Sequence, residues 1–189
     1  MSINLQKGQK VDLTKTNQGV SKFKVGLGWN PNTAVGGEFD LDATAFILGA
    51  DGKALSENHM VFYNNKTSPL GVLIHSGDNR TGAGDGDDET ILFDVSKVTN
   101  EEKIVFVVTI HEADAKRQNF GQVNGSYIRI MNADNNQEIL KFDLNEDYST
   151  ETAMIFGELY KKDGEWKFQA VGTGMKGGLK DYVTQYGLG

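Results

Sequence analysis

Short runs of apolar residues at every second position, closed by turn residues, constrain this chain more than any other feature. They occur at 23–30 (FKVGLGWN), 39–48 (FDLDATAFIL), 59–64, 71–76, 89–95, 126–132, 137–144, 153–161 and 165–172. Period two is the signature of a strand with one face in a core, and a helix would need a spacing near 3.6. In 39–48 the residues Phe39, Leu41, Ala43 and Ala45 fall on one side, and Asp40 and Asp42 on the other. Residues 103–111 (KIVFVVTIH) break the alternation because nearly all are apolar, which predicts a central strand covered on both faces. Asp163-Gly164 and Asp51-Gly52 are two-residue hairpin signals.

Two helical pieces are expected. Thr99 and Glu102 have capping-box spacing for a short turn. Leu179, Tyr182, Val183 and Tyr186 sit at i, i+3, i+4 and i+7, with Gly187 as terminator, so a C-terminal amphipathic helix should pack on a sheet. About ten strands without repeat, linker or low-complexity segment predict one all-β domain over 1–189, an antiparallel β-sandwich with a short C-terminal helix.

Composition removes several function classes. The 189 residues include no cysteine, which excludes disulfides, thiolate metal sites and thiol redox chemistry. The net charge of −7 argues against nucleic acid or anionic lipid as an electrostatic partner. The opening MSINLQKGQK has no apolar signal core, and no run approaches the ~20 residues of a membrane span. A cytoplasmic location without membrane insertion is expected. The Asn-x-Ser/Thr sequons at Asn65, Asn79 and Asn124 read as chance matches.

The charge is concentrated. Residues 77–89 (GDNRTGAGDGDDE) hold Asp78, Asp85, Asp87, Asp88 and Glu89 against the single cation Arg80. With Asp40 and Asp42 the set carries −6, leaving −1 for the rest of the chain. Whether the two segments meet is not given by spacing. Two carboxylates about 4 Å apart repel by roughly 4 kcal/mol at an effective dielectric near 20, so such a cluster calls for cations. Calcium takes six to eight oxygens in flexible geometry; magnesium is stricter, and zinc and copper prefer His and Cys. The glycines at 82, 84 and 86 can bring backbone carbonyls inward. Calcium fits best, and seven acids suffice for two adjacent ions. The bland alternative is a solvated Gly/Asp-rich loop.

Other motifs fail. Asp78 to Glu89 has the length of an EF-hand loop, but Arg80, Gly82 and Ala83 stand at positions three, five and six, and the flanks are strands. Gly82-Ala83-Gly84 does not complete a dinucleotide fingerprint. His59, His75 and His111 each lie in a strand-like run and read as structural, with His75 close enough to Asp78 to support a metal ligand. There is no nucleophile-elbow serine and no second histidine for a zinc-protease motif. Trp29 and Trp166 read as core residues.

FDLDA at 39–43, HSGDNRTGAGDGDDE at 75–89, NFGQV at 119–123, WKFQAVGTG at 166–174 and the opening INLQKGQKVDL resemble the TerD family of bacterial tellurium-resistance and stress-response proteins, over residues 3–187. The resemblance implies a β-sandwich binding two Ca²⁺ ions. Its matched polar positions are Asp40, Asp42, Asp78, Asn79, Asp87, Asp88 and Glu89, with carbonyls from Gly82 and Gly84; Asp85 falls where the family varies. It also implies a role in resistance to tellurite, phage and colicins, through complexes with other products of the same stress operon, including a membrane protein. Direct tellurite reduction is unattractive without a thiol. The expectation is a calcium-binding, non-enzymatic stress protein whose ordered acidic loop docks a partner. A calcium-dependent membrane module resembling C2 domains and a metal-dependent hydrolase are the alternatives.

Overall fold

The alternating runs fold as strands with bounds close to those the pattern predicts. The computed structural model describes residues 1–31, 39–76, 86–144 and 148–189. In chain order the described strands are β1 (Ile3–Leu5), β2 (Lys10–Asp12), β3 (Lys22–Pro31), β4 (Leu41–Leu48), β5 (Met60–Val61) and β6 (Leu73–His75). They continue with β7 (Glu89–Asp94), β8 (Lys103–Ile110), β9 (Val123–Asn132), β10 (Glu138–Asp143), β11 (Ala153–Lys162) and β12 (Glu165–Met175). Two short α-helices, α1 (Ala113–Lys116) and α2 (Leu179–Gln185), and four 3-10 turns complete the described elements.

The strands form two six-stranded sheets, sheet A in the order β1-β10-β9-β3-β7-β6 and sheet B in the order β2-β12-β11-β8-β4-β5. The antiparallel β-sandwich is therefore the observed fold; the parallel pairing of β1 with β10 is the exception among the described strands. Inward residues at every second position interdigitate between the sheets: Val25, Leu27, Ile91 and Ile130 from one side, Leu41, Ala43, Phe106 and Phe168 from the other. Trp29 and Trp166 are both buried in this core.

β8 is apolar throughout for the reason its sequence suggests. Ile104, Phe106 and Val108 face the inter-sheet core. Val105 and Val107 face outward, where α2 covers them together with Phe46, Leu48 and Ala153. Tyr182 and Tyr186 of α2 close this second cluster, with the Tyr186 ring 4.9 Å from that of Phe46. Asp163 and Gly164 both have positive φ (54° and 78°), the geometry of the tight turn that joins β11 to β12.

Some expectations change. Residues 95–97 form a 3-10 turn, and the Thr99 N–H donates to Glu101 Oε2 (2.6 Å). Glu102 instead pairs with Lys161 at 3.3 Å, so no Thr99–Glu102 capping box forms. The runs 59–64 and 71–76 contract to the two residues of β5 and the three of β6, because 3-10 turns occupy Glu57–His59 and Pro69–Gly71.

Candidate functional site

The acidic segment links the end of β6 to the start of β7, and β4 begins at the same end of the sandwich. Glu89, the first residue of β7, points into the core and is 2% exposed. It crosses to sheet B, where Oε2 accepts the Ala43 N–H at 3.0 Å. His75 Nε2 lies 2.9 Å from that same oxygen and 3.2 Å from the Ala43 carbonyl. With a carboxylate and a carbonyl oxygen as neighbours, Nε2 is the ring nitrogen that carries the proton.

This tie has a topological cause. Both polar groups of Ala43 point toward β5, because those of its neighbours point to β8. Among the described residues β5 pairs only with Ala45 and Phe46. The imidazole and carboxylate take the place of the missing strand, as a buried amide and carbonyl require. The two predicted segments thus meet: Glu89 from one touches the residue after Asp42 in the other. His75, read from sequence as structural, is a core residue 3% exposed.

Asp87 lies on the opposite, outer face of sheet A. Its side chain is only 6% exposed. Oδ1 accepts the Tyr127 hydroxyl and Arg129 Nε, each at 2.8 Å, and Oδ2 accepts Arg129 Nη2 at 3.1 Å. Arg129 Nη1 reaches on to Glu138 Oε2 at 3.2 Å. The Asp87 hydrogen bond, ahead of the cost of burial, raises the guanidinium pKa, while burial and the same carboxylate push the Tyr127 hydroxyl well up. β3 makes room for this clamp: a Cβ on Gly26 would collide with the Asp87 carboxylate, and one on Gly28 with the Tyr127 ring.

Asp88 sits between the two. Its N–H donates to the Leu27 carbonyl (2.8 Å), and its Oδ2 accepts the Trp29 N–H (2.7 Å). Burial raises its carboxyl pKa, the Trp29 hydrogen bond opposes this, and the Asp87 charge adds to it. On β4, Asp42 lies on the outer side of sheet B with half-buried exposure. Asp40 holds the end of β8 through its carbonyl, which accepts the His111 N–H at 2.8 Å. Its carboxylate oxygen Oδ1 is buried, with no hydrogen-bond partner among the described residues.

Five of the predicted site residues are thus placed at one end of the sandwich. Asp78, Asn79, Gly82 and Gly84 lie outside the described residues. Among the described residues, no three His, Asp or Glu side chains converge as a metal-binding group. Sequence reasoning missed Tyr127 and Arg129, which lie forty and forty-two residues from Asp87. The alternate glycines at 26 and 28 were the available signal that something lies flat on β3.

The TerD domain model matches residues 1–186. General stress protein 16U of Bacillus subtilis (strain 168) is 55% identical over all of this chain and 98% of its own length. Tellurium resistance protein TerD of Serratia marcescens is 52% identical over the same shares. The crystal structure of a Streptomyces coelicolor A3(2) homologue of telluride resistance protein (TerD) superposes with a TM-score of 0.71 at 23% identity, covering 87% of this chain and 96% of that one. At that identity it speaks to the fold, which it shares.

Proposed function

Because the chain belongs to the TerD family, we propose that it is a calcium-binding, non-enzymatic stress-response protein implicated in tellurite resistance, in which two Ca²⁺ ions order the acidic segment and the ordered surface docks a partner. The observation that carries the calcium reading is Asp40 Oδ1, a buried carboxylate oxygen with no donor among the described residues. Leaving such an acceptor unsatisfied costs about 1–3 kcal/mol or more, and a hard cation is the partner it suits. Asp40, Asp42 and Asp88 would hold the ions, with Asp78, Asn79, Gly82 and Gly84 supplied from the segment beyond the described residues. Asp88 also accepts the Trp29 N–H; Asp87 is engaged on both carboxylate oxygens by Arg129 and Tyr127, and Glu89 meets Ala43 and His75 in the core. The ions would supply positive charge that lets the acids approach one another.

His75 is engaged by Glu89 and Ala43 in the core, which fits a structural part for it in this reading. Among the described residues no helix is long and apolar enough to cross a membrane. We place the protein in the cytoplasm, with other products of the same stress operon, a membrane protein among them, as its partners.

Thermal melting of ion-stripped protein in EDTA, calcium or magnesium tests the reading. Calcium at a hundred times its dissociation constant stabilises the native state by about 2.7 kcal/mol. For a chain of this length that raises Tm by about 5–10 °C. Magnesium should do far less. Equal melting in EDTA and calcium rejects calcium binding.

A further inference from the structure

We infer that Arg129 and Tyr127 are positioning residues for the proposed calcium site: they hold Asp87 as an anchor, not a ligand, and so fix where the adjacent Asp88 meets the ion. The inference rests on the calcium reading and assigns roles within it.

The three consecutive acids have three different environments. Asp87 is turned outward, 6% exposed, with its charge matched by a two-pronged guanidinium and a third hydrogen bond from Tyr127. Glu89 is turned inward, against His75 and the Ala43 amide. Asp88 is tied to β3 at Leu27 and Trp29. A carboxylate already neutralised by a fork of N–H donors gains less from a cation, and binding one would weaken bonds it has. The same bonds suit a support. Arg129 joins the root of the acidic segment to β9 and, through Glu138, to β10. The seat is shaped for it by two glycines on β3. Consecutive Cα atoms are 3.8 Å apart, so a shift of Asp87 is passed directly to Asp88.

Electrostatics makes the two roles separable by sign. Deleting a cation beside an acidic site should, by Coulomb's law alone, tighten binding of a divalent ion. Loss of a support for the ligand weakens it, by about tenfold to a hundredfold for partners that orient metal ligands. Calcium titration calorimetry on the EDTA-stripped full chain distinguishes them, with melting in EDTA as the control for folding. Arg129→Ala should bind the same number of ions as the parent, about ten- to a hundredfold more weakly. Arg129→Lys, which keeps the charge but loses the fork, should fall between. Asp87→Asn should weaken binding without losing an ion. Tighter or unchanged affinity in Arg129→Ala, or one fewer ion in Asp87→Asn, overturns the inference and leaves the calcium reading standing. A parent protein that takes up no calcium overturns both. Should Arg129→Ala fail to fold, Arg129→Lys and Tyr127→Phe carry the same comparison.

Discussion

The outer faces of the two sheets are built on opposite principles. Sheet B buries its outer face: Phe46, Leu48, Val105 and Val107 lie under α2, and Tyr182 is 1% exposed. Sheet A presents a polar face, where Tyr127, Arg129 and Lys141 gather, Lys141 Nζ standing 4.6 Å from the centre of the Tyr127 ring. Apolar burial is the main stabilising term in folding, whereas partly exposed ion pairs contribute about 0–1 kcal/mol. The difference teaches a division of labour. One face supplies stability through area removed from water. The other supplies direction, holding the root of the acidic segment at a fixed place for little net stability.

Three changes would break or sharpen that division. The largest effect is expected from Tyr182→Ala, which empties the centre of the α2 cluster. It should lower unfolding free energy by about 3–5 kcal/mol in urea titrations. Calcium affinity should hold. If affinity falls as far as in Arg129→Ala, the faces are not independent.

Alkali should attack the same face. Burial pushes the Tyr186 hydroxyl up to about 12 and raises that of Tyr182 as well. A group whose folded pKa is raised stabilises the fold fully below its unfolded pKa, near 10 for tyrosine, and loses that contribution as pH rises through the folded value. Denaturant midpoints should therefore drop between about pH 10 and 12, and Tyr186→Phe should flatten that drop. An equal slope in the variant would remove Tyr186 from the account.

The smallest effect on stability is expected on sheet A. Gly28→Ala puts a methyl group into the Tyr127 ring. Such overpacking costs about 1–3 kcal/mol in a closed core and should fall at the low end here, because the ring is half-buried and can move. The informative readout is calcium affinity, which should weaken even though the added methyl group meets the Tyr127 ring and not a proposed ligand. Unchanged affinity would separate the tyrosine from the site.

How much of this was legible beforehand follows from distance along the chain. The alternation of Leu41, Ala43 and Ala45 against Asp42 is local, and it gave both the strand and the side on which the acid lies. The i, i+3, i+4, i+7 pattern ending at Tyr186 gave α2 in the same way. β1 and β2 escaped because three residues cannot display a period. The Asp87 clamp escaped because its partners are on β9, and no spacing in sequence relates residues that a sheet makes neighbours. His75 and Glu89 were each noticed. What joins them is the shortness of β5, a property of the strand that stops before Ala43.

The pairing of β1 and β2 has a consequence for biosynthesis. Ile3 finds Leu140, and Asp12 finds Lys167, so both edges wait for chain made 137 and 155 residues later. At roughly 5–20 residues per second, the ribosome delivers those partners on the order of ten seconds afterwards. Until then the segment stays idle in the nascent chain, and the unsealed rims of both half-built sheets are open to other molecules. Shielding during that interval falls to whatever meets the chain at the exit tunnel, and a protein needed under stress is most exposed while it is being made.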